Sequence, residues 1–558
     1  MATNAAIAVL FALPTALALR STPQAVFWPE FLLAAVLIGA FAACCWRGTQ
    51  WRVPVASLFP CALGAIWVLA TWGHSAPVFV VGFLAYLLLF AVAATFSGGV
   101  DTKLIATAIL AAALVQSLIG AMQLFDISLG GAVLPMVYRQ AYGNIGQPNH
   151  YAALLSLGLA AVVGGAGDWR WPRWLTVAVV AWLSVSIAAS ASRAPWFYML
   201  AFTVLGLLAR RSLLSNGPEA GWRAIWVGVT ALVIQVAFAY SGCLDWLGVT
   251  SSIARASDAG SNGQRLYDWS LALSAIARSP WEGVGIGGFH GWAVIQMPVT
   301  PQVSFPKFAE HAHNLPLHLA ATMGLPFTLL FLGAVVWWLL RQLRVPMTPS
   351  RLFALCCLAV VGLHSLVEYP LWYTYFMIPA GMCCGALAAS APHCRQVQIP
   401  PGVARIFAIT LALALVWVAR DYVIVQRAYD DWATVRSMAT DADRERIRRE
   451  VERVPAWSIF GDHAESLALQ TWAPDVASAA HMVAQCEPVF RLRPSWGLGT
   501  QCLLAMGMAG DRAGVARMSL VLCEGFPRHH QMLRDWAEGA DRFHPAVSVQ
   551  SENCLRKS

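Results

Sequence analysis

Apolar residues in this chain gather into long, nearly unbroken runs. Thirteen approach or reach the roughly 20 residues that an α-helix needs to cross a bilayer: about 4–20, 26–45, 54–72, 77–96, 104–124, 151–166, 174–190, 194–209, 223–241, 315–340, 352–369, 371–391 and 404–421. Two stretches break the pattern. Residues 242–314 are rich in Gly, Trp and His and poor in Lys and Glu, and read as a long ordered loop. Beyond 421 the runs give way to charged, amphipathic helical patterning, as in Arg444–Val454. The pattern predicts an all-α, polytopic membrane protein of about 12–13 spanning helices. Its expected regions are N-terminal membrane helices over 1–241, the loop over 242–314, C-terminal membrane helices over 315–421 and a soluble helical domain over 422–558. Met1 to Arg20 carries small and apolar residues with no basic segment ahead of them, so it reads as a first membrane helix and not as a signal peptide.

Of 558 residues, 58% are hydrophobic and 12% charged. That charge content is about half the ~25% of soluble domains. It excludes a water-soluble globule, a disordered chain and a disulfide-knot scaffold. Residues 1–420 hold 21 Lys+Arg and 11 Asp+Glu, whereas 421–558 hold 16 and 18. The formal net charge of +8 therefore reflects Arg in the loops of a membrane body and is no nucleic-acid signal. With the N-terminus in the cytoplasm, the turns on that side carry thirteen Lys and Arg, and the short loops opposite carry only Arg20, Arg139 and Arg193. The positive-inside rule favours this orientation. An odd helix count then puts 125–150, 242–314 and the tail on the non-cytoplasmic face.

Within the tail, Phe490 and Pro494 are echoed by Phe526 and Pro527. Their spacing fits tetratricopeptide-like hairpin repeats, the other reading being an irregular helical domain. Four tail cysteines, Cys486, Cys502, Cys523 and Cys554, allow one or two disulfides in an oxidising compartment, or buried free thiols.

Candidate chemistry concentrates on the outer side. Arg193, in Ser190–Trp196, lies between two apolar runs. It is either a snorkelling Arg at a helix end or a guanidinium fixed for phosphate, which it grips bidentately. Glu310–His318 packs His311, His313 and His318 just before a membrane helix. His-x-His is a metal-ligand spacing, but no further ligand cluster completes it, and no metal is expected. The remaining readings are one catalytic His oriented by Asn314 and its neighbours, taking a proton from a hydroxyl, or a polar helix cap. The glycines of Gly283–Gly288 follow Pro280 and Trp281 rather than a strand, which argues against dinucleotide binding. Arg265 is a second phosphate candidate or a solvated loop residue. Asn144, Gln147 and Asn149 could present amides to sugar hydroxyls, or Asn149 could simply cap the helix that follows.

Several blocks in order resemble one family: Gly143-Asn-Ile-Gly-Gln-Pro-Asn149, Ser192-Arg-Ala-Pro-Trp196, Arg265-xxx-Trp269, Pro280-xx-Gly-Val-Gly-xx-Gly288, His311-Ala-His-Asn-Leu-Pro-Leu-His318 and His364-Ser-Leu-Val-Glu-Tyr-Pro-Leu-Trp-Tyr373. Together they resemble the bacterial O-oligosaccharyltransferases of the PglL type, which share a superfamily with the O-antigen ligases and the Wzy-type polymerases. The resemblance implies a multi-pass protein of the bacterial inner membrane with its active site facing the periplasm. It implies a donor glycan on undecaprenyl pyrophosphate, a Ser or Thr hydroxyl of a pilin-like or other periplasmic protein as acceptor, and no cofactor. The family's essential His matches His313, and its pyrophosphate-binding Arg residues match Arg193 and Arg265. His311, Asn314, Gln147, Asn149, Glu368 and Tyr369 fall in the matching blocks as supporting residues. Where family members often carry Glu, this chain has Thr322. An O-antigen ligase or a Wzy-type polymerase would use the same donor with another acceptor. A transporter or flippase is disfavoured because no internal duplication is evident.

Overall fold

A computed structural model describes the chain apart from residues 1–9, 138, 166–168, 170, 212–217, 244, 250, 254–258, 297–307, 393, 527, 528 and 530–558. In chain order the main elements are α1 (Phe27–Trp46), β1 (Trp51–Pro54), α2 (Val55–Ala70), α3 (Pro77–Ser97), α4 (Thr102–Leu124), α5 (Pro148–Gly165), α6 (Arg173–Ala188), α7 (Ala194–Arg211) and α8 (Pro218–Ser241). They continue with α9 (Ala259–Arg278), α10 (Gly288–Gln296), α11 (Leu315–Leu343), α12 (Pro349–His364), α13 (Thr374–Ala389), β2 (Gln396–Ile399) and α14 (Pro401–Val435). The tail holds α15 (Asp441–Val451), α16 (Gly461–Gln470), α17 (Val476–Leu492), α18 (Trp496–Met508) and α19 (Arg512–Gly525).

Local chemistry sets the helix starts. Asp101 accepts from the Lys103 N–H at the head of α4, and Thr348 with Pro349 opens α12. Asp475, Ser495 and Asp511 cap α17, α18 and α19. By length and composition, α1, α3, α4, α8, α11 and α14 can each cross a membrane, and α2, α6, α12 and α13 are shorter apolar helices. A helix stands at twelve of the thirteen predicted runs, and residues 10–16 of the first are helical. The chain is an all-α, multi-pass membrane protein.

The chain divides into two compact units. The first comprises residues 1–66, 85–259 and 330–415. At its centre runs α5, in which every residue but Asn149 is buried. A helix apolar on all sides must be enclosed by others. Leu154, Leu155 and Leu159 of α5 share one core with Ile109 and Ala113 of α4, Leu183 of α6, Phe202 of α7 and Phe353 of α12. By contrast α14 leaves Val403, Ile406, Ile409 and Leu413 exposed, as suits a face turned to lipid.

The second unit comprises residues 67–84, 260–329 and 416–558. One of its cores gathers Met482, Phe490, Leu503, Met506 and Leu522 from the tail together with Val294 of α10. Another joins Tyr267, Leu271 and Ala275 of α9 to Phe289, Ala312 and Ala321. Cys486 and Cys502 form a disulfide between α17 and α18, and Cys523 is buried in the same core. Cys554 and Pro527 lie outside the described residues, the latter being the second proline of the repeat spacing.

The structure corrects the sequence reading in three places. Among the described residues, 242–314 include the α-helices α9 and α10, because apolar positions 267, 271, 272 and 275 form a stripe with a partner to bury against. The last predicted run continues as one 35-residue helix to Val435, so the change in composition near 421 falls inside α14. Finally, β1 and β2 pair antiparallel, with Trp51 opposite Ile399. Strands this short carry too little alternation to be read from sequence.

Candidate active site

In the first unit the loop before α5 is fastened by amide side chains. Gln123 of α4 accepts from the N–H groups of Tyr142 and Gly143 at 3.1 and 2.8 Å and donates to the carbonyl of Leu134 at 2.9 Å. Asn144 donates to the carbonyls of Ala16 and Ala132 at 2.6 and 2.8 Å and accepts from the Leu134 N–H at 3.0 Å. Gly143 has φ 55°, and a Cβ there would meet the Gln116 side-chain oxygen at 2.1 Å, so only glycine fits the turn. Asn144 is therefore a structural fastener. The α5 cap belongs to Gln147, whose Oε1 accepts from the His150 N–H at 2.6 Å. Of the two readings of Asn149, the helix cap is thus filled by Gln147, and the Asn149 amide pairs elsewhere.

Asn149 Nδ2 donates to Glu368 Oε1 at 2.7 Å, and its Oδ1 accepts from the Ser192 hydroxyl at 3.0 Å. Glu368 is 3% exposed. A buried carboxylate requires such a donor. This chain of contacts joins three sequence blocks and ends beside Arg193, which is half-buried immediately before α7. Ala191, two residues earlier, is forced into left-handed backbone at φ 52°. Behind Asn149, His150 Nδ1 lies 2.9 Å from the Tyr375 hydroxyl, and His364 Nδ1 lies 2.8 Å from the Tyr198 hydroxyl. Tyr369 stacks on Tyr373 with ring centres 5.9 Å apart.

In the second unit, α9 carries Arg265, Asp268 and Trp269 at a spacing that puts them on one helix face. Asp268 is 1% exposed and accepts from Gln264 Nε2 at 2.8 Å. Its other oxygen lies 4.0 Å from His313 Nε2. His313 itself occupies left-handed backbone, with φ 49°. For a residue with a Cβ, that conformation costs energy and persists only where the surroundings impose it. Here Asn314 imposes it from one side by capping α11, its Oδ1 accepting from the Leu317 N–H at 3.0 Å. His311 is pushed far below the ordinary imidazole range by burial, and further by His318 and His313. It stays neutral and is a poor proton acceptor. His313 has a side chain 29% exposed and is the imidazole of the pair that lies beside the Asp268 carboxylate. Among the described residues no group of three or more His, Cys, Asp or Glu side chains could hold a metal ion.

The glycine run that follows Trp281 makes a close backbone contact with α11. Gly285 donates to the Thr322 carbonyl at 3.0 Å and Val284 to the Ala321 carbonyl at 2.8 Å. Helix α11 breaks at Gly324, with φ 82°, where a Cβ would lie 2.2 Å from the Trp281 carbonyl oxygen. Thr322, at the position where Glu was expected, is buried and donates to the His318 carbonyl at 2.7 Å.

The structure thus brings Asn149 together with Glu368 in the first unit, and His313 with the helix that bears Arg265 in the second. Sequence reasoning singled out neither Asp268 nor Ser192, which the structure places beside His313 and Asn149. Asp268 would have been found had residues 259–278 been read as a helix, since Arg265 and Asp268 stand at i and i+3.

These residues fall within regions matched by three family models. Residues 141–163 match a protein glycosylation ligase model, 178–332 an O-antigen ligase model, and 352–538 the model described as virulence factor membrane-bound polymerase, C-terminal. The fold is that of a multi-pass membrane protein, and over these regions the chain is similar to O-antigen ligases and protein glycosylation ligases. Among curated proteins it is similar to O-oligosaccharyltransferases. A general O-oligosaccharyltransferase of Acinetobacter baylyi is 27% identical over 322 residues, covering 56% of this chain and 55% of that protein. A ComP-specific O-oligosaccharyltransferase of the same organism is 29% identical over 124 residues, 22% of each chain. The chain thus spans about half the length of the first relative and less of the second.

Proposed function

We propose that the protein is a glycosyltransferase that moves an oligosaccharide from undecaprenyl pyrophosphate to a Ser or Thr hydroxyl of a pilin-like or other periplasmic protein. It would work at the periplasmic face of the bacterial inner membrane. The observation that carries this reading is the partly exposed His313 imidazole beside the buried Asp268 carboxylate, which stands on the helix that also bears Arg265. In the reaction, His313 takes the proton of the acceptor hydroxyl as its oxygen bonds to the anomeric carbon. The bond between that carbon and the pyrophosphate oxygen breaks, and the electron pair leaves with the pyrophosphate. Arg193 and Arg265 meet the negative charge that grows there. Asp268 stabilises the imidazolium that results. Asn149, held by Glu368 and Ser192, offers polar contacts to the donor, with Gln147 and Tyr369 shaping the same region.

The test uses the full chain in proteoliposomes with an undecaprenyl pyrophosphate-linked glycan and a purified pilin, scored by mass for glycopeptide. Glycan on a pilin hydroxyl supports the reading. The matches to O-antigen ligase and polymerase models favour one second reading, the same donor chemistry with a saccharide acceptor. Transfer to lipid A core or to a second lipid-linked unit, with none to protein, would replace the first reading with that one.

A further inference from the structure

We propose that Arg493, in the tail, is a positioning residue for the His311–His313 turn and acts through Glu310. The inference rests on the reading of His313 as the base. Arg493 ends α17, and its N–H donates to the Val489 carbonyl. Its Nε donates to Asp462, whose side chain is fully buried. Its Nη1 lies 3.6 Å from Glu310 Oε1, and its guanidinium sits 5.6 Å above the Phe79 ring. Glu310 Oε1 in turn lies 3.9 Å from His290 Nδ1.

Two residues before Glu310, Phe308 packs its ring 6.0 Å from Phe490 and 5.0 Å from Phe526. The strand of chain that leads into His311 and His313 is therefore held to the tail twice, by an apolar ring and by an ion pair. Val294 of α10 shares the tail core with Met482 and Val489, so the helix preceding this segment is seated on the same helices.

Asp462 decides what Arg493 can do. A half-exposed carboxylate such as Glu310 contributes little to stability when it pairs with a mobile surface Arg. Arg493 is not mobile, because Asp462 already fixes it and its side chain is only 22% exposed. Glu310 thus meets a guanidinium at a set place, and the turn behind it inherits that placement. Left-handed backbone at His313 needs such support, since a residue with a Cβ relaxes out of that conformation when released. A misplacement of about 1 Å at a reacting group costs on the order of 100-fold in rate.

The experiment compares the parent with Arg493→Met, Arg493→Lys, Glu310→Gln and the double variant Arg493→Met/Glu310→Gln, all full-length in proteoliposomes with lipid-linked glycan and pilin. Expected are a fall in kcat of about tenfold or more for Arg493→Met and Glu310→Gln, partial recovery in Arg493→Lys, and KM values for glycan and pilin within about twofold of the parent. The double variant should be no slower than the worse single one, because both remove one link. Glu310→Gln, at a 54% exposed side chain, keeps the fold and tests the link even where Arg493→Met unfolds. Parental kcat in folded Glu310→Gln overturns the inference. So does a change confined to the KM for pilin, which would make this surface an acceptor-docking site. No transfer by the parent overturns the functional reading and the inference with it, whereas transfer by the parent with unaffected variants overturns the inference alone.

Discussion

Asn149 rises from α5, whose other seventeen residues are all buried and whose neighbours are membrane helices of the same core. His313 sits in a left-handed turn held by a helix cap, a buried Asp and a segment tied to the tail. The first is placed by apolar packing that leaves it no alternative. The second is placed by a few polar contacts, each of which can be removed singly. Polar groups on a rigid scaffold suit tight, unvarying recognition, and a base on a supported loop suits a step in which geometry must be tuned. The comparison predicts that lesions around His313 cost rate with little loss of fold.

The largest effect is expected at His313 itself. His313→Ala should lower glycan transfer by about 10²–10⁴-fold, the usual cost of a general base, with thermal unfolding close to that of the parent. Near-parental turnover in the folded variant would remove His313 as the base. His311, kept neutral by burial and its neighbours, would not readily take its place.

Arg193→Ala should come next, losing most turnover, with Arg193→Lys recovering only part because a point charge cannot grip two oxygens in a plane. Full recovery by Lys would reduce Arg193 to a general positive charge. A smaller loss, about 10–100-fold in kcat, is expected for Asp268→Asn, which keeps the shape and removes the charge that stabilises the imidazolium. Thermal unfolding close to that of the parent separates this from misfolding, and parental kcat in the folded variant would mean that the Asp268 charge plays no part in the step.

The membrane helices were legible because each is a long apolar run, a signal that needs no partner to be recognised. The site was legible in part. Blocks such as Gly143–Asn149 and His311–His318 stand out by composition, but the contact of Asn149 with Glu368 spans more than two hundred residues, and neither block signals it. Asp268 was hidden by reading its segment as a loop. The stripe at Tyr267, Leu271 and Ala275 is short and becomes a helix signal only once Phe289 and Ala312 are there to cover it. Arg493 carries no local signal, since its partners Asp462 and Glu310 come from separate segments. The cysteines gave a count and not a pairing, and the bond between Cys486 and Cys502 is one of several connectivities that four residues allow.

The last expected effect bears on stability and not on rate, and it sharpens the contrast between the two regions through acid. Burial, and secondarily Arg493, pushes His290 and His463 of the second unit down to about 4. In the unfolded chain both titrate near ~6.5. Between those values the unfolded state binds more protons than the folded one, so stability is complete above about pH 6.5 and is lost as pH falls toward about 4. Each His accounts for a loss on the order of 3 kcal/mol across that window. Glu465, raised by burial and then by Asp462, works in the opposite direction and trims the total. Hydrogen exchange followed by peptide mass should therefore show α16 and α17 opening progressively from pH 6.5 to 4, with α5 unchanged after correction for intrinsic exchange rates. His463→Gln should flatten the tail's dependence without touching α5. An equal acid response in α5 and α17 would mean that the whole protein opens as one body and that the tail carries no separate titration.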